Sequence, residues 1–337
     1  MKEKFGELPS GENCHLYTIS CGQLTAKVAD LGATLVRLYV PAKDGSTTDV
    51  VLGYDSPAGY LQSDTYFGAT VGRNANRVQG ACFILDNKTW TLGTNDGANN
   101  LHSGPDGYNI RLWSVVSHTE NAITMRLESP QGDQGFPGNA QVQVTYTMES
   151  DGLRIAYAAV SDRDTAFNLT NHAYFNLAGH TKQDTAMQQV LTMPARFFCP
   201  DDAANIPTGE LRKVDGTPMD FRGGKPLGQD IGEDYEPLHL QAGYDHNFEV
   251  FCNPCAILCD PDSGREMAVY TDCPGVQVYT ANFTKGEGKD GVVYAPRCGV
   301  CLETQFYPDS VNHPEWPQPF VKAGETYHSE TKYRFSW

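Results

Sequence analysis

Apolar and polar residues alternate at short intervals through this chain, and a period of two is a strand pattern rather than a helical one. Val142, Val144, Tyr146 and Met148 mark one run and Leu153, Ile155, Tyr157 and Ala159 the next, with Ile123, Met125 and Leu127 just before. Neighbouring side chains on a strand point to opposite faces, so each run reads as a half-buried strand. Turn chemistry separates them. Asp86-Asn87 falls between Phe83-Ile84-Leu85 and Thr89-Trp90-Thr91, Asp151-Gly152 precedes Leu153, and Asp262-Ser263-Gly264 precedes the run from Glu266 to Thr271; each predicts a hairpin. The 33 Gly and 20 Pro are spread over the whole length and leave long helices few places to form. Single turns remain, such as Pro57 to Gln62, where Ser56 can cap and Pro57 takes the first helical position.

Many short strands with few helical turns predict an all-β chain built as a large antiparallel sandwich. Pattern alone does not separate that from a jelly roll. With 337 residues, no linker-like segment, no long charge run and no internal repeat, residues 1–337 read as one domain.

The charge balance narrows the partners. Twenty-five Lys and Arg against 41 Asp and Glu leave a net charge of -16, which repels nucleic acid, anionic lipid and phosphorylated metabolites. A neutral small molecule fits better. No run of about 18 apolar residues appears, and Met1-Lys2-Glu3-Lys4-Phe5-Gly6-Glu7 lacks the apolar stretch of a secretory signal, so the expected location is the cytoplasm, with no membrane partner. The ten cysteines then read as free, mostly buried thiols. Cys252, Cys255, Cys259 and Cys273 are close enough in sequence to raise a thiolate metal site. The simpler reading is that the first two straddle a turn at Asn253-Pro254.

Chemistry gathers in five short segments: Asn76-Arg77; Leu101-His102; Asn168 to Leu177 around His172; Tyr244-Asp245-His246-Asn247-Phe248; and Cys301-Leu302-Glu303-Thr304-Gln305. Taken alone, each has an ordinary explanation. Glu303 reads as a strand carboxylate, His172 as a core histidine, His102 and Asp245 as turn residues. Strict alternation puts Cys301, Glu303 and Gln305 on one face and Leu302, Thr304 and Phe306 on the other, so Glu303 faces a polar cleft or solvent. Of the two arginines, Arg77 suits a clamp on vicinal hydroxyls. Arg73 suits a structural salt bridge.

Together and in this order, the segments strongly resemble the aldose 1-epimerase (galactose mutarotase) family, over a stretch from the strand near Phe83 to Trp337. The resemblance implies a β-supersandwich of the galactose mutarotase type and interconversion of the α and β anomers of free aldohexoses such as D-galactose and D-glucose. It assigns Glu303 as general base, His172 as general acid, His102 as an assisting or binding residue, and Asn76, Arg77, Asp245 and Gln277 as substrate-binding residues. One departure stands out, Ser103 where the family pattern carries glycine.

The implied reaction moves only protons. One group takes the proton from the C1 hydroxyl, another delivers one to the ring oxygen, and after rotation about C1–C2 the pair runs in reverse. No metal and no cofactor is demanded. Asn171 and Asn176 flank His172 and are placed to orient hydroxyls or the imidazole. Three other readings stay in view: a glycosidase using Glu303 and Asp245, a sugar-binding module without turnover, and a hexose-6-phosphate epimerase, which the net charge disfavours. Monomer and homodimer are both compatible with the sequence.

Overall fold

The computed structural model describes residues 1–337. Its largest element is a nine-stranded antiparallel sheet in the spatial order Ser114–His118, Ala122–Ser129, Ala140–Glu149, Gly152–Ser161, Thr326–Ser336, Glu266–Thr271, Ala256–Cys259, Val190–Thr192 and Lys225–Pro226. Residues from Ala140–Glu149 and Gly152–Ser161 pair without a break, Ala140 opposite Ser161 through to Glu149 opposite Gly152. The alternating apolar residues of both strands are buried in one cluster of 54 residues. Full burial of each such side chain contributes roughly 1.5–3 kcal/mol, which fixes register wherever one face is covered.

A six-stranded sheet closes the other side of that core. Its order is Tyr174–Phe175, Val300–Gln305, Gly275–Tyr279, Asp245–Glu249, Phe197–Cys199 and Arg212–Lys213. Val276, Val278, Val300, Leu302 and Phe248 point from it into the shared cluster. The opposite face of this sheet carries the polar residues. A five-stranded N-terminal sheet, Lys2 to Asp49, adds Ile19, Ala26, Val28, Leu35 and Leu38 to the same core.

The turn chemistry acts as expected. Asp86 and Asn87 both hold positive φ, 54° and 58°, between Cys82–Leu85 and Lys88–Thr91, the geometry that matches the strand twist of a two-residue hairpin. The strands Ala256–Cys259 and Glu266–Thr271 also pair across their turn. Pro57–Gln62 is helical with extended Ser56 at its N-cap, but the Ser56 hydroxyl makes no capping bond. Only the Ser56 carbonyl takes part, accepting from the Gly59 N–H. A second six-residue helix spans Glu236–Gln241. Neither is long and apolar enough to cross a membrane.

Several sequence expectations are corrected. Arg73 is buried as a structural residue, yet it pairs with no carboxylate; its guanidinium donates to the carbonyls of Ser129, Pro137 and Gly138 and to the hydroxyls of Ser129 and Thr165. A planar five-donor fork can be satisfied by carbonyls alone when they converge. His180 is buried, with Nδ1 3.1 Å from the Tyr294 hydroxyl. Lys289, in a glycine-rich stretch that reads as a plain turn, is fully buried and reaches the Asp49 carboxylate (2.6 Å) and the carbonyls of Val36 and Val51. All ten cysteines are free; Cys252 is exposed, Cys255 and Cys273 are buried, Cys259 is half-buried, and the four do not form a ligating cluster.

Candidate active site

Three antiparallel strands set the site floor. Glu303 lies opposite Gln277, and Gln277 opposite Asn247, while one pair along, Cys301 lies opposite Tyr279 and Tyr279 opposite Asp245. Strand alternation puts all six on one face. Glu303 is 2% exposed, so that face opens into a cleft and not into bulk solvent. The cleft, of about 140 Å³, is lined by the buried His102, His172, Tyr174, Glu303 and Asn76 and by the half-buried Arg77, Asp245 and Tyr279. Asp64, Tyr66, Leu101, Asn205 and Phe283 form its rim.

His172 arrives on a separate segment. Thr170 and Asn171 pair with Val71 and Thr70, after which the His172 N–H donates to the Ala69 carbonyl and the His172 carbonyl accepts from Gly68 N–H. Gly68 is at φ 63°, and a Cβ there would meet the Leu35 carbonyl oxygen at 2.0 Å, so only glycine lets the chain pass between the two. The imidazole Nε2 comes within 3.6 Å of Glu303 Oε2, and its Nδ1 lies 3.6 Å from Cys301 Sγ. Asn171 and Asn176 do not line the cleft. The Asn171 amide donates to the Gly68 carbonyl and Tyr146 hydroxyl, the Asn176 amide to the carbonyls of Lys182 and Cys298; both brace the backbone rather than orient a ligand.

His102 is held by its own tight loop. Asn76, His102 and Ser103 all take positive φ, 61°, 52° and 74°. Ser103 thus keeps the left-handed backbone that glycine adopts easily, and its hydroxyl ties the loop down by accepting from Asn74 N–H (2.7 Å) and donating to the Asn74 carbonyl (3.1 Å). The Asn76 N–H donates to His102 Nδ1 (3.1 Å), which assigns the hydrogen of the neutral imidazole to Nε2. His102, His172 and Glu303 offer ligand atoms within 4.8 Å of one another, the one cluster of metal-ligand type in the chain. A metal would need the Nε2 lone pair that this tautomer uses for hydrogen. The set suits proton transfer better.

Arg77 donates from Nε to Asp96 Oδ2 (2.7 Å), and its two terminal nitrogens make no hydrogen bond within the chain. Asp245 accepts from Gln277 Nε2 (2.7 Å). Gln277 itself sits behind Asp245, buried, and is not among the cleft-lining residues. Sequence reasoning brings Asn76, Arg77, His102, His172, Asp245 and Glu303 to one cleft, and all six are there. It passes over Tyr66, Asn205 and Phe283, whose segments carry no distinctive spacing, Tyr174, which stands inside the segment around His172, and Tyr279, two residues beyond Gln277.

Burial dominates the electrostatics. Desolvation, aided by the charge of Asp245 and opposed by Arg77, pushes the Glu303 carboxyl well above the usual range. Desolvation likewise lowers His172 to about 4, and lowers His102 well below the usual histidine range, with His172 and Arg77 adding to it. Asp245 is raised by burial against the pull of Arg77 and Gln277. For Arg77 burial works downward, and Asp245, Asp96 and Asp201 overcome it. The shifts run in opposite directions on facing acid and base groups, an arrangement suited to proton movement.

Comparison with known proteins agrees with this geometry. The family model for aldose 1-epimerase matches residues 15–334. The chain is 41% identical to galactose mutarotase of Bos taurus, covering 98% of this chain and 97% of the relative, and 36% identical to aldose 1-epimerase of Escherichia coli (strain K12), covering 97% and 96%. The crystal structure of an aldose epimerase homologue from C. elegans superposes with a TM-score of 0.88 at 32% identity, over 95% of this chain and 98% of that one. The sandwich is therefore of the galactose mutarotase type, and the chain belongs to the aldose 1-epimerase family.

Proposed function

We propose that this isomerase exchanges the α and β anomers of free aldohexoses, galactose and glucose among them, with Glu303 as base and His172 as acid. The observation that carries the assignment is the 3.6 Å approach of Glu303 Oε2 to His172 Nε2 at the wall of a cleft, with Oε2 buried and otherwise unpartnered. Burial favours the uncharged pair, carboxylic acid with neutral imidazole. That pair holds the same single proton as carboxylate with imidazolium, so the reactive form is reached by one internal transfer when hydroxyls enter and solvate the charges. Glu303 then takes the C1 hydroxyl proton and His172 protonates the ring oxygen. His102, donating from Nε2, steadies the oxygen on which charge develops.

Arg77 and Asp245 offer complementary partners to vicinal hydroxyls, the first through its two free terminal nitrogens and the second through its carboxylate. Asn76 sets His102 through its backbone, and Gln277 acts through Asp245 by fixing the carboxylate plane. A galactose-type substrate is supported by the names of the Bos taurus relative and other galactose mutarotases at 40% identity. The reading also takes residues 1–337 as one domain, supported by a core shared among the three large sheets, and places the protein in the cytoplasm, supported by ten free thiols.

Polarimetry on freshly dissolved α-D-galactose tests it. The protein should speed the approach to anomeric equilibrium, and Glu303→Gln should abolish the acceleration while leaving the fold intact. Equal rates with and without wild-type protein would sink the proposal.

A further inference from the structure

Four aromatic rings neighbour His172. Tyr66 and Tyr174 lie near-parallel to the imidazole, with centroids 5.7 and 5.1 Å away and interplanar angles of 16° and 15°. His102 and Tyr279 meet it edge-on at 5.3 and 6.4 Å, with angles of 71° and 87°. Around a ring that must gain positive charge, stacked π faces act as electrostatic partners, because an aromatic face is negative and attracts a cation. Glu303 at Nε2 and Cys301 at Nδ1 complete the surroundings.

Tyr66 is the informative member. It holds φ 55°, a left-handed conformation that costs a non-glycine residue free energy and persists only where its surroundings require it. Its ring also touches His102, 4.6 Å between centroids, and lines the cleft rim. No hydrogen bond within the chain engages its hydroxyl, so the ring and not the phenol is the part the fold holds in place.

We infer that Tyr66 and Tyr174 form a π clamp on His172, making Tyr66 a positioning residue that fixes the imidazole plane and stabilises the imidazolium from which the ring oxygen is protonated. The clamp supplies what burial takes away. Desolvation disfavours the charged ring, and two π faces return part of that loss without admitting water.

This inference rests on the proposed role of His172, and the test separates the two. Tyr66→Phe keeps the π face and loses the hydroxyl; Tyr66→Leu keeps apolar bulk and loses the π face. In NMR titrations, which need no turnover, the His172 pKa should be the same in wild type and Tyr66→Phe and lower in Tyr66→Leu. In anomer exchange, kcat should fall roughly tenfold for Tyr66→Leu and within about twofold for Tyr66→Phe, with KM little changed in both. The Tyr174→Phe and Tyr174→Leu pair gives the same comparison from the other flank should Tyr66→Leu not fold. An unmoved His172 pKa in the leucine variants, or equal losses in phenylalanine and leucine variants, overturns the clamp. Failure of wild-type protein to exchange anomers overturns the role of His172 instead, and leaves the titration result standing by itself.

Discussion

At the residue scale, the pair formed by Glu303 and His172 has its ionisation reversed by burial. Because His172 is lowered to about 4 and Glu303 raised, the acid limb of the kcat/KM profile should follow His172, and the alkaline limb the proton that Glu303 holds. A profile whose acid limb lies near the ordinary histidine value, about 6.5, would contradict this. The same burial has a stability consequence. A carboxyl raised in the folded state binds protons more tightly there than in the unfolded chain, so its contribution is complete at acid pH and is lost as pH rises through the folded value. Glu303→Gln removes that loss. The variant should melt higher than wild type at pH 8, with the difference shrinking towards pH 4, as read by calorimetry at both pH values. The facing of Glu303 was legible from alternation. That the face is a cleft rather than solvent was not, because it depends on segments around residues 66, 102 and 172 that arrive from elsewhere in the chain.

At the element scale, short backbone devices hold the site together. The buried Lys289 ammonium joins the segment after Phe283 to the N-terminal sheet through Asp49, itself buried and also near Arg37 (3.4 Å). Lys289→Met strips Asp49 of its closest partner inside the protein, and removing one member of a buried pair costs about 3–5 kcal/mol. Urea denaturation should show a loss of that order, with the m value unchanged. Gly68→Ala should also destabilise strongly, since the Cβ meets backbone that cannot rotate away and the residue sits at positive φ. The backbone shift needed to seat the methyl should lower kcat as well, because it displaces the residue-68 N–H that donates to the His172 carbonyl. Neither the Lys289 tie nor the carbonyl cradle of Arg73 was readable beforehand. Lys289 looked like a turn residue because its partners are some 240 residues away, and Arg73 looked like half of a salt bridge because convergent carbonyls leave no mark in a sequence.

At the scale of the whole molecule, the net charge of -16 acts on any charged substrate and not on a neutral one. Anomer exchange of galactose should be insensitive to ionic strength, whereas a hexose 6-phosphate should be a poor substrate whose kcat/KM rises as salt screens the repulsion. A phosphorylated sugar turned over as well as galactose at low salt would refute this. The strands, their facings and the two-residue hairpin at Asp86-Asn87 follow from the sequence alone, because alternation and turn propensity act between near neighbours. So does the identity of six of the thirteen cleft residues, through motifs that lie in order along the chain. Tertiary structure alone decided how they are arranged: that His172 meets Glu303, that Gln277 stands behind Asp245, that Asn171 and Asn176 brace backbone, and that two tyrosine rings lie near-parallel to the imidazole. Those contacts join residues from separate sheets and loops, and their spacing is set by how the sheets pack over a common core, a quantity that no local pattern encodes.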